Sequence, residues 1–205
     1  MTTLLTATQL ASVRDGAPVF QPVDTVLEGG QALEILGANG AGKSTLLRTL
    51  AGLHGEFDGT FACTHVLYQG HRLALDELLS PLDNLQWYGD LAGAPATETA
   101  LKDALDRVGM RRYAFTPVGR LSQGQQRRIA MARWLLAAQA TPALLWLLDE
   151  PVTALDTSGQ ALLCELLDAH CAGGGAVAYA THVPLALAEK TLLEVLPHDR
   201  ELSVA

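Results

Sequence analysis

The sequence predicts an α/β fold with a parallel sheet at its centre, and three observations support this. Short apolar segments alternate with segments of helical spacing along much of the 205 residues, an order typical of parallel sheets with right-handed crossovers. Residues 144–148 are apolar throughout, as expected of a strand covered on both faces. Residues 71–139 instead favour helices, for example through the spacing of Leu101, Leu105 and Val108. We interpret that region as a helical lobe inserted into the core.

The N-terminal part is predicted to be rich in strands. Residues 4–14 are expected to form an edge strand and residues 19–27 a second strand. Together with a strand at residues 32–36, they are expected to make a small antiparallel β layer beside the core. Further along, residues 52–60 are predicted as a loop and residues 61–68 as one strand.

The remaining elements are predicted from helical spacing and from end signals. Ser122 is a natural N-cap for a helix over residues 125–139, and Gly173-Gly174-Gly175 is a stop signal. The other predicted helices cover residues 43 to about 53, 76–85, 97–108 and 158–171, and the other strands cover residues 144–148, 176–180 and 191–196.

The stretch from Gly37 to Thr45 fits the pattern G-x-x-x-x-G-K-[ST] of a phosphate-binding loop. Its glycines let backbone N–H groups turn inward toward an anion, which the N-terminus of the following helix also favours. Lys43 supplies a charge for the β- and γ-phosphates, and Ser44 offers a hydroxyl to Mg2+. The sequence therefore predicts that ATP and Mg2+ bind here, and that ATP contacts Gly37, Ala38, Asn39, Gly40, Ala41, Gly42, Lys43, Ser44 and Thr45.

Two carboxylates, Asp149 and Glu150, end the apolar strand at residues 144–148. Ligands of α/β sheets bind at the carboxyl ends of the strands. Asp149 is a candidate ligand of Mg2+ there, and Glu150 is placed to orient or deprotonate an attacking water. In phosphoryl transfer the protein mainly positions groups and stabilises charge. We therefore expect these two residues to serve ATP hydrolysis.

Composition excludes several classes of function. The formal net charge of −8 argues against a nucleic-acid partner, which needs a basic surface. The pairs Arg111-Arg112 and Arg127-Arg128 are expected to be solvated or interface charges. No segment approaches the roughly 20 apolar residues of a membrane span, and the N-terminus lacks the features of a signal peptide. We therefore expect a cytoplasmic chain with three free cysteines, which reaches a membrane only by docking to an integral partner.

Three further motifs resemble those of the ATP-binding-cassette (ABC) ATPases. Residues 121–127, Leu-Ser-Gln-Gly-Gln-Gln-Arg, resemble the signature motif and lie between the phosphate loop and the Asp149–Glu150 strand, in the family's order. Residues 153–156 resemble the D-loop, with Asp156, and Thr181-His182 resembles the switch histidine. The resemblance implies a P-loop NTPase fold with a RecA-like core, as one nucleotide-binding domain over residues 1–205. Its core would cover about 1–70 and 140–205, and its helical subdomain about 71–139.

The resemblance also implies a mechanism. Two copies would pack head to tail, and each ATP would lie between one phosphate loop and the signature residues of the other copy. These are Ser122, Gln123, Gly124 and Gln125, of which Ser122 and Gly124 would contact the γ-phosphate. His182 would reach the same phosphate and help Glu150 to hold the attacking water.

The sequence departs from the family in two places. The register at which the family usually has an aromatic residue stacked on adenine holds Arg14, whose guanidinium plane is also able to stack on a base. The Q-loop glutamine, which reaches Mg2+ in the family, has its register at or next to His71 and Arg72. The nearby Gln69 is the alternative, and both remain open.

Within the family, residues 67–71, 80–85 and 121–134, together with Tyr88, are similar to the haem-exporter ATPases of cytochrome c maturation. That similarity implies ATP-driven haem delivery with integral membrane partners, at the cytoplasmic face of the bacterial inner membrane. The segment near residues 75–88 is a candidate partner surface. The alternatives are the ATPase of another small exporter, a soluble cassette ATPase acting on ribosomes or DNA, and a nucleotide-binding module without turnover.

Overall fold

A computed structural model of the chain describes residues 2–141 and 143–198. A five-stranded parallel sheet lies at its centre, and the predicted fold class is confirmed. The central three strands are almost wholly buried. In spatial order the strands are β6 (Val66–Gln69), β7 (Leu145–Asp149), β8 (Ala176–Ala180), β4 (Ala32–Leu36) and β9 (Thr191–Glu194).

A second, antiparallel sheet packs beside it. It contains β1 (Thr3–Arg14), β2 (Ala17–Pro18), β3 (Val23–Glu28) and β5 (Phe57–Cys63). The prediction of β1 as an edge strand is wrong, because β1 pairs with β3 and also with β5. The prediction that β4 joins this layer is also wrong. Four of its five residues are buried, and it pairs in parallel with β8 and β9.

The segment between α1 and β6 was also predicted incorrectly. Residues 52–60 were expected to form a loop, yet β5 begins at Phe57, because β1 offers backbone partners as far as Ser12. Residues 61–68 are not one strand: β5 ends at Cys63, and β6 begins at Val66 in the other sheet. Asp58-Gly59 locally favours a turn, but backbone pairing of this segment with β1 outweighs that preference.

The helices lie close to their predicted positions except the second, which was predicted over residues 76–85 and instead extends to Leu91. They are α1 (Lys43–Leu50), α2 (Pro81–Leu91), α3 (Glu98–Arg107), α4 (Gln123–Ala140) and α5 (Thr157–Ala172), with 3-10 turns at Arg111–Tyr113 and Val118–Arg120. The first helix stops at Leu50 rather than near residue 53. The second begins only at Pro81, because Ser80 and Asp83 form a capping box and proline occupies the first turn.

The parallel sheet separates two hydrophobic clusters. Alternate residues of β7 point to opposite faces: Leu145 and Leu147 meet α1 and the antiparallel sheet, whereas Trp146 and Leu148 meet α4, α5 and the helical lobe. Burial on both faces explains why the first four residues of β7, 145–148, are all apolar. It also makes β7 a rigid support for the polar residues that follow it.

His170 stacks on Trp146 on the helical side, with ring centroids 3.8 Å apart. Its Nε2 lies 2.8 Å from the carbonyl oxygen of Leu144, and burial lowers its pKa from the ordinary 6.5. Below pH 6.5, His170 therefore binds a proton more readily in the unfolded chain than in the folded chain. The free energy of unfolding should therefore decrease as the pH falls below 6.5.

We expect the free energy of unfolding, measured with urea at pH 7.5 and 5.5, to fall less in His170→Gln than in wild type. His198→Gln, which changes an exposed histidine, is the control and should keep the wild-type slope. Equal slopes for wild type and His170→Gln would contradict the assignment.

Candidate active site

The phosphate loop connects β4 to α1 by a tight turn that needs glycine. Gly42, the N-cap of α1, has φ of 105°, and a Cβ placed on it would lie 2.7 Å from Cδ1 of Phe20. The ammonium of Lys43 lies within the loop and donates to the carbonyl oxygens of Gly37 (2.7 Å) and Ala38 (3.0 Å). The loop therefore presents a cation and a helix N-terminus to the same space.

The end of β7 reaches this loop. Ser44 Oγ donates to Asp149 Oδ1 at 3.0 Å, although the residues are 105 positions apart. Asp149 is itself buried and pairs with Ala180 of β8. The two residues predicted to hold Mg2+ therefore lie side by side.

Glu150 and His182 lie at the ends of neighbouring strands. The His182 Nε2 is 3.2 Å from Glu150 Oε1, and the histidine side chain is 54% exposed. Glu150 has φ of 51°, unusual for a residue with a side chain, and its N–H donates to the Ala180 carbonyl oxygen at 2.8 Å. Such strained backbone is found where surrounding structure fixes a side chain for function. Both side chains therefore lie together at the carboxyl edge of the parallel sheet.

The signature residues begin α4, as predicted. Ser122 is its N-cap and forms a capping box: its Oγ accepts from Gln125 N–H at 3.3 Å, and its own N–H donates to Gln125 Oε1 at 2.9 Å. Ser122 and Gln123 are exposed. Gly124 packs closely, since a Cβ there would lie 2.7 Å from the Ala154 carbonyl oxygen. Among the described residues, no hydrogen bond joins this motif to the phosphate loop.

Asp156, the last residue of the D-loop, caps α5. Its Oδ1 accepts from Gly159 N–H (2.7 Å), Ser158 Oγ (3.1 Å) and Arg128 Nη2 (3.4 Å). These bonds, that to Gly159 most of all, lower the pKa of its carboxyl. Arg128 therefore links the signature helix to the D-loop within one chain.

Sequence comparison assigns this arrangement to a family. Residues 20–153 match the sequence profile described as ABC transporter. The chain belongs to the ABC transporter family. The cytochrome c biogenesis ATP-binding export protein CcmA of Nitrobacter winogradskyi is 40% identical, over 92% of this chain and 96% of its own length. CcmA of Rhodopseudomonas palustris strain BisB18 is 42% identical, with the same coverage.

Solved structures agree on the fold of this ABC protein. A putative ABC transporter ATP-binding protein from Pyrococcus furiosus superposes with a TM-score of 0.82 at 22% identity, covering 95% of this chain and 99% of its own. The chain is thus a nucleotide-binding ABC ATPase, and the predicted resemblance and enzyme class are confirmed. In the described part of the chain, no helix is long and apolar enough to span a membrane.

The structure gives Gln69 a structural role, and which residue fills the Q-loop position stays a prediction. Gln69 is buried, and its Nε2 donates to the carbonyl oxygens of Gly70 (3.0 Å) and Arg72 (2.7 Å). Its Oε1 accepts from Arg133 of α4, and Tyr88 of α2 donates to the carbonyl oxygen of Ala74 in the same loop. These side chains hold the loop after β6 to the helical lobe. The side chain of Arg72 is exposed.

Replacing Gln69 by alanine should therefore destabilise the fold by about 2 kcal/mol, because it leaves buried polar partners unsatisfied. Urea unfolding measures this loss. The Mg2+ concentration for half-maximal ATP hydrolysis should stay unchanged. Arg72→Ala, at an exposed position, should change stability by less than about 0.5 kcal/mol. A raised Mg2+ requirement at unchanged stability would instead assign Gln69 to the metal.

Arg127 is a residue whose position the sequence analysis missed. It was expected to be a solvated or interface charge, yet it is only 4% exposed within one chain, and its neighbour Arg128 contacts Asp156. The spacing of Arg127, Ala130 and Trp134, all buried, was the available signal, because it places the arginine on the inner face of α4. Arg111 and Arg112 are exposed as predicted.

Arg14 lies at the exposed end of β1, opposite Ala17. Among the described residues, no side-chain hydrogen bond or ion pair joins it to the phosphate loop. Its stacking on adenine stays a prediction.

Proposed function

We propose that this chain powers an export step in c-type cytochrome biogenesis, as the ATPase subunit of a membrane complex that delivers haem. One observation carries the proposal: relatives with that biogenesis role in their names match this chain along nearly their whole length. The similarity of residues 67–71, 80–85 and 121–134 supports the haem assignment. The acidic balance of the chain supports a protein partner rather than a nucleic acid.

In the proposed reaction, Glu150 takes the proton of the water that attacks the γ-phosphate. General bases work when they are held within hydrogen-bond reach of that proton. The short contact with His182 restrains the carboxylate, and the exposed part of the histidine is free to contact the phosphate. Lys43 stabilises the charge that spreads over the phosphate oxygens.

The Mg2+ site is proposed at Ser44 and Asp149. A hydroxyl and a carboxylate oxygen 3.0 Å apart fit the preference of Mg2+ for oxygen ligands that leave room for water and phosphate. When bound, Mg2+ neutralises charge on the phosphates. Ser44 and Asp149 orient it, and the buried end of β7 keeps them in place.

A second copy of the chain is proposed to complete each site. Ser122 and Gln123 are exposed at the N-terminus of an 18-residue helix, where N–H groups and the helix dipole favour an anion. In a head-to-tail dimer this end would meet the γ-phosphate held by the other copy. Asp156 of the D-loop would lie near the same interface.

The membrane partner is proposed to dock on the helical lobe. Large apolar side chains are exposed there: Leu78 (87%), Trp87 (53%), Leu91 (69%) and Phe115 (72%). Exposed apolar groups of this size favour protein interfaces. Docking would hold the chain at the cytoplasmic face of the bacterial inner membrane as a peripheral subunit.

A capture experiment tests this proposal. Tagged Glu150→Gln is added with ATP to solubilised native membranes, and bound proteins and haem absorbance are measured. Lys43→Ala, which should bind ATP more weakly, is the control and should form less of the ATP-bound state. Recovery of cytochrome c maturation membrane proteins supports the proposal. Recovery of a different permease would discard the haem assignment, and recovery of ribosomal or DNA-bound proteins alone would discard the exporter class.

A further inference from the structure

A cavity of about 400 Å³ lies between the loop after β6 and the start of α4. Cationic and polar side chains form part of its wall: His71 and Arg72 from the loop, and Gln123 and Arg127 from the helix. Thr153, three positions after Glu150, lines it as well. The cavity therefore adjoins the segment that carries the catalytic carboxylates.

Arg127 is the unusual member of this wall. Its Nε and Nη1 are buried, and the described residues give them no hydrogen-bond partner. A buried guanidinium without acceptors is costly, and native structures normally supply them. Burial lowers its pKa, while the charges of Glu150 and Asp149 favour the protonated form. Those carboxylates act on it through their charge, and neither accepts a hydrogen bond from its Nε or Nη1.

The side chains of the cavity wall include more hydrogen-bond donors of positive charge than carboxylates. Arg127 and Arg72 face a single carboxylate in the cavity wall, that of Glu77, which is exposed to water. The N-terminus of α4 adds partial positive charge. The wall itself therefore has two guanidinium groups against one carboxylate, and the charges of Glu150 and Asp149 act on Arg127 from outside the wall.

We propose that this cavity binds a phosphate oxyanion and that phosphate released by ATP hydrolysis is its occupant. A tetrahedral oxyanion offers several acceptors, which match the donors of two guanidinium groups. The site is separate from the phosphate loop, which holds the phosphates of bound ATP. The proposal rests on the ATPase reaction and not on the exported substrate.

The direct test is a titration of inorganic phosphate into the chain, followed by phosphorus NMR. The nucleotide site is first filled with Mg2+ and a non-hydrolysable ATP analogue, so that phosphate has no access to it. We expect saturable binding that weakens at least about tenfold in Arg127→Gln, because charge-assisted hydrogen bonds are lost. Arg72→Gln changes an exposed residue, so it tests the site even where Arg127→Gln fails to fold.

Arg111→Gln, at an exposed arginine outside the cavity, is the matched control and should bind phosphate like wild type. No saturable binding, or equal binding by wild type and Arg72→Gln, would overturn the proposal. Inhibition of ATP hydrolysis by added phosphate then tests the source. A raised inhibition constant in Arg72→Gln supports product phosphate as the occupant, and an unchanged constant overturns that assignment. Because the titration needs no turnover and no partner, its failure is distinguishable from failure of the haem-export proposal.

Discussion

Replacing Glu150 by glutamine is expected to slow ATP hydrolysis at least about 100-fold, the range lost when a general base is removed. The amide has the same shape, so it keeps the backbone conformation at φ 51° and a polar contact with His182. It accepts no proton from water at neutral pH. ATP affinity should therefore change little, and the variant should accumulate in the ATP-bound state.

Single-turnover hydrolysis and equilibrium ATP binding together measure this effect. Glu165→Gln, at an exposed position of α5, is the matched control and should hydrolyse ATP like wild type. A Glu150→Gln variant that retains a large part of wild-type turnover would show that another group accepts the proton. Tight ATP binding with turnover lost would support the role proposed for Glu150.

Replacing Lys43 by alanine is expected to weaken ATP binding by roughly 10- to 100-fold, because hydrogen bonds to charged groups contribute about 1.5–3 kcal/mol. Lys43 is only 7% exposed, and its ammonium lies inside the loop that would surround the β- and γ-phosphates. Alanine leaves the backbone N–H groups and the helix N-terminus in place. Some affinity for ATP should therefore remain.

Titration with a fluorescent ATP analogue measures the loss, and thermal unfolding checks that the fold is intact. Lys102→Ala, which removes a lysine from α3 in the helical lobe, should bind ATP like wild type. The loss in Lys43→Ala should grow with the number of phosphates, so that ATP is affected more than AMP. Equal losses for AMP and ATP would mean that the variant has distorted the loop itself.

The sequence alone determined which residues are candidates for the chemistry. The phosphate loop is a contiguous motif, so its turn, its lysine and its helix follow from neighbouring residues. Asp149, Glu150 and His182 come directly after apolar strands, and parallel strands bring their carboxyl ends to one edge. That rule was sufficient to expect these three residues at one edge. The structure has a Ser44–Asp149 hydrogen bond and a Glu150–His182 contact there.

Only the tertiary structure decided which strands pair and which polar side chains are buried. The strand β5 forms because its backbone pairs with β1. The strand β4 belongs to the parallel sheet because its two edges pair with β8 and β9. Gln69 holds the loop after β6 through Arg133, 64 positions away. Arg127 faces inward because α4 packs with that side against the core. Strand pairing and helix packing bring residues together that are far apart in sequence. The local preferences of a segment therefore do not predict which other segment it will contact.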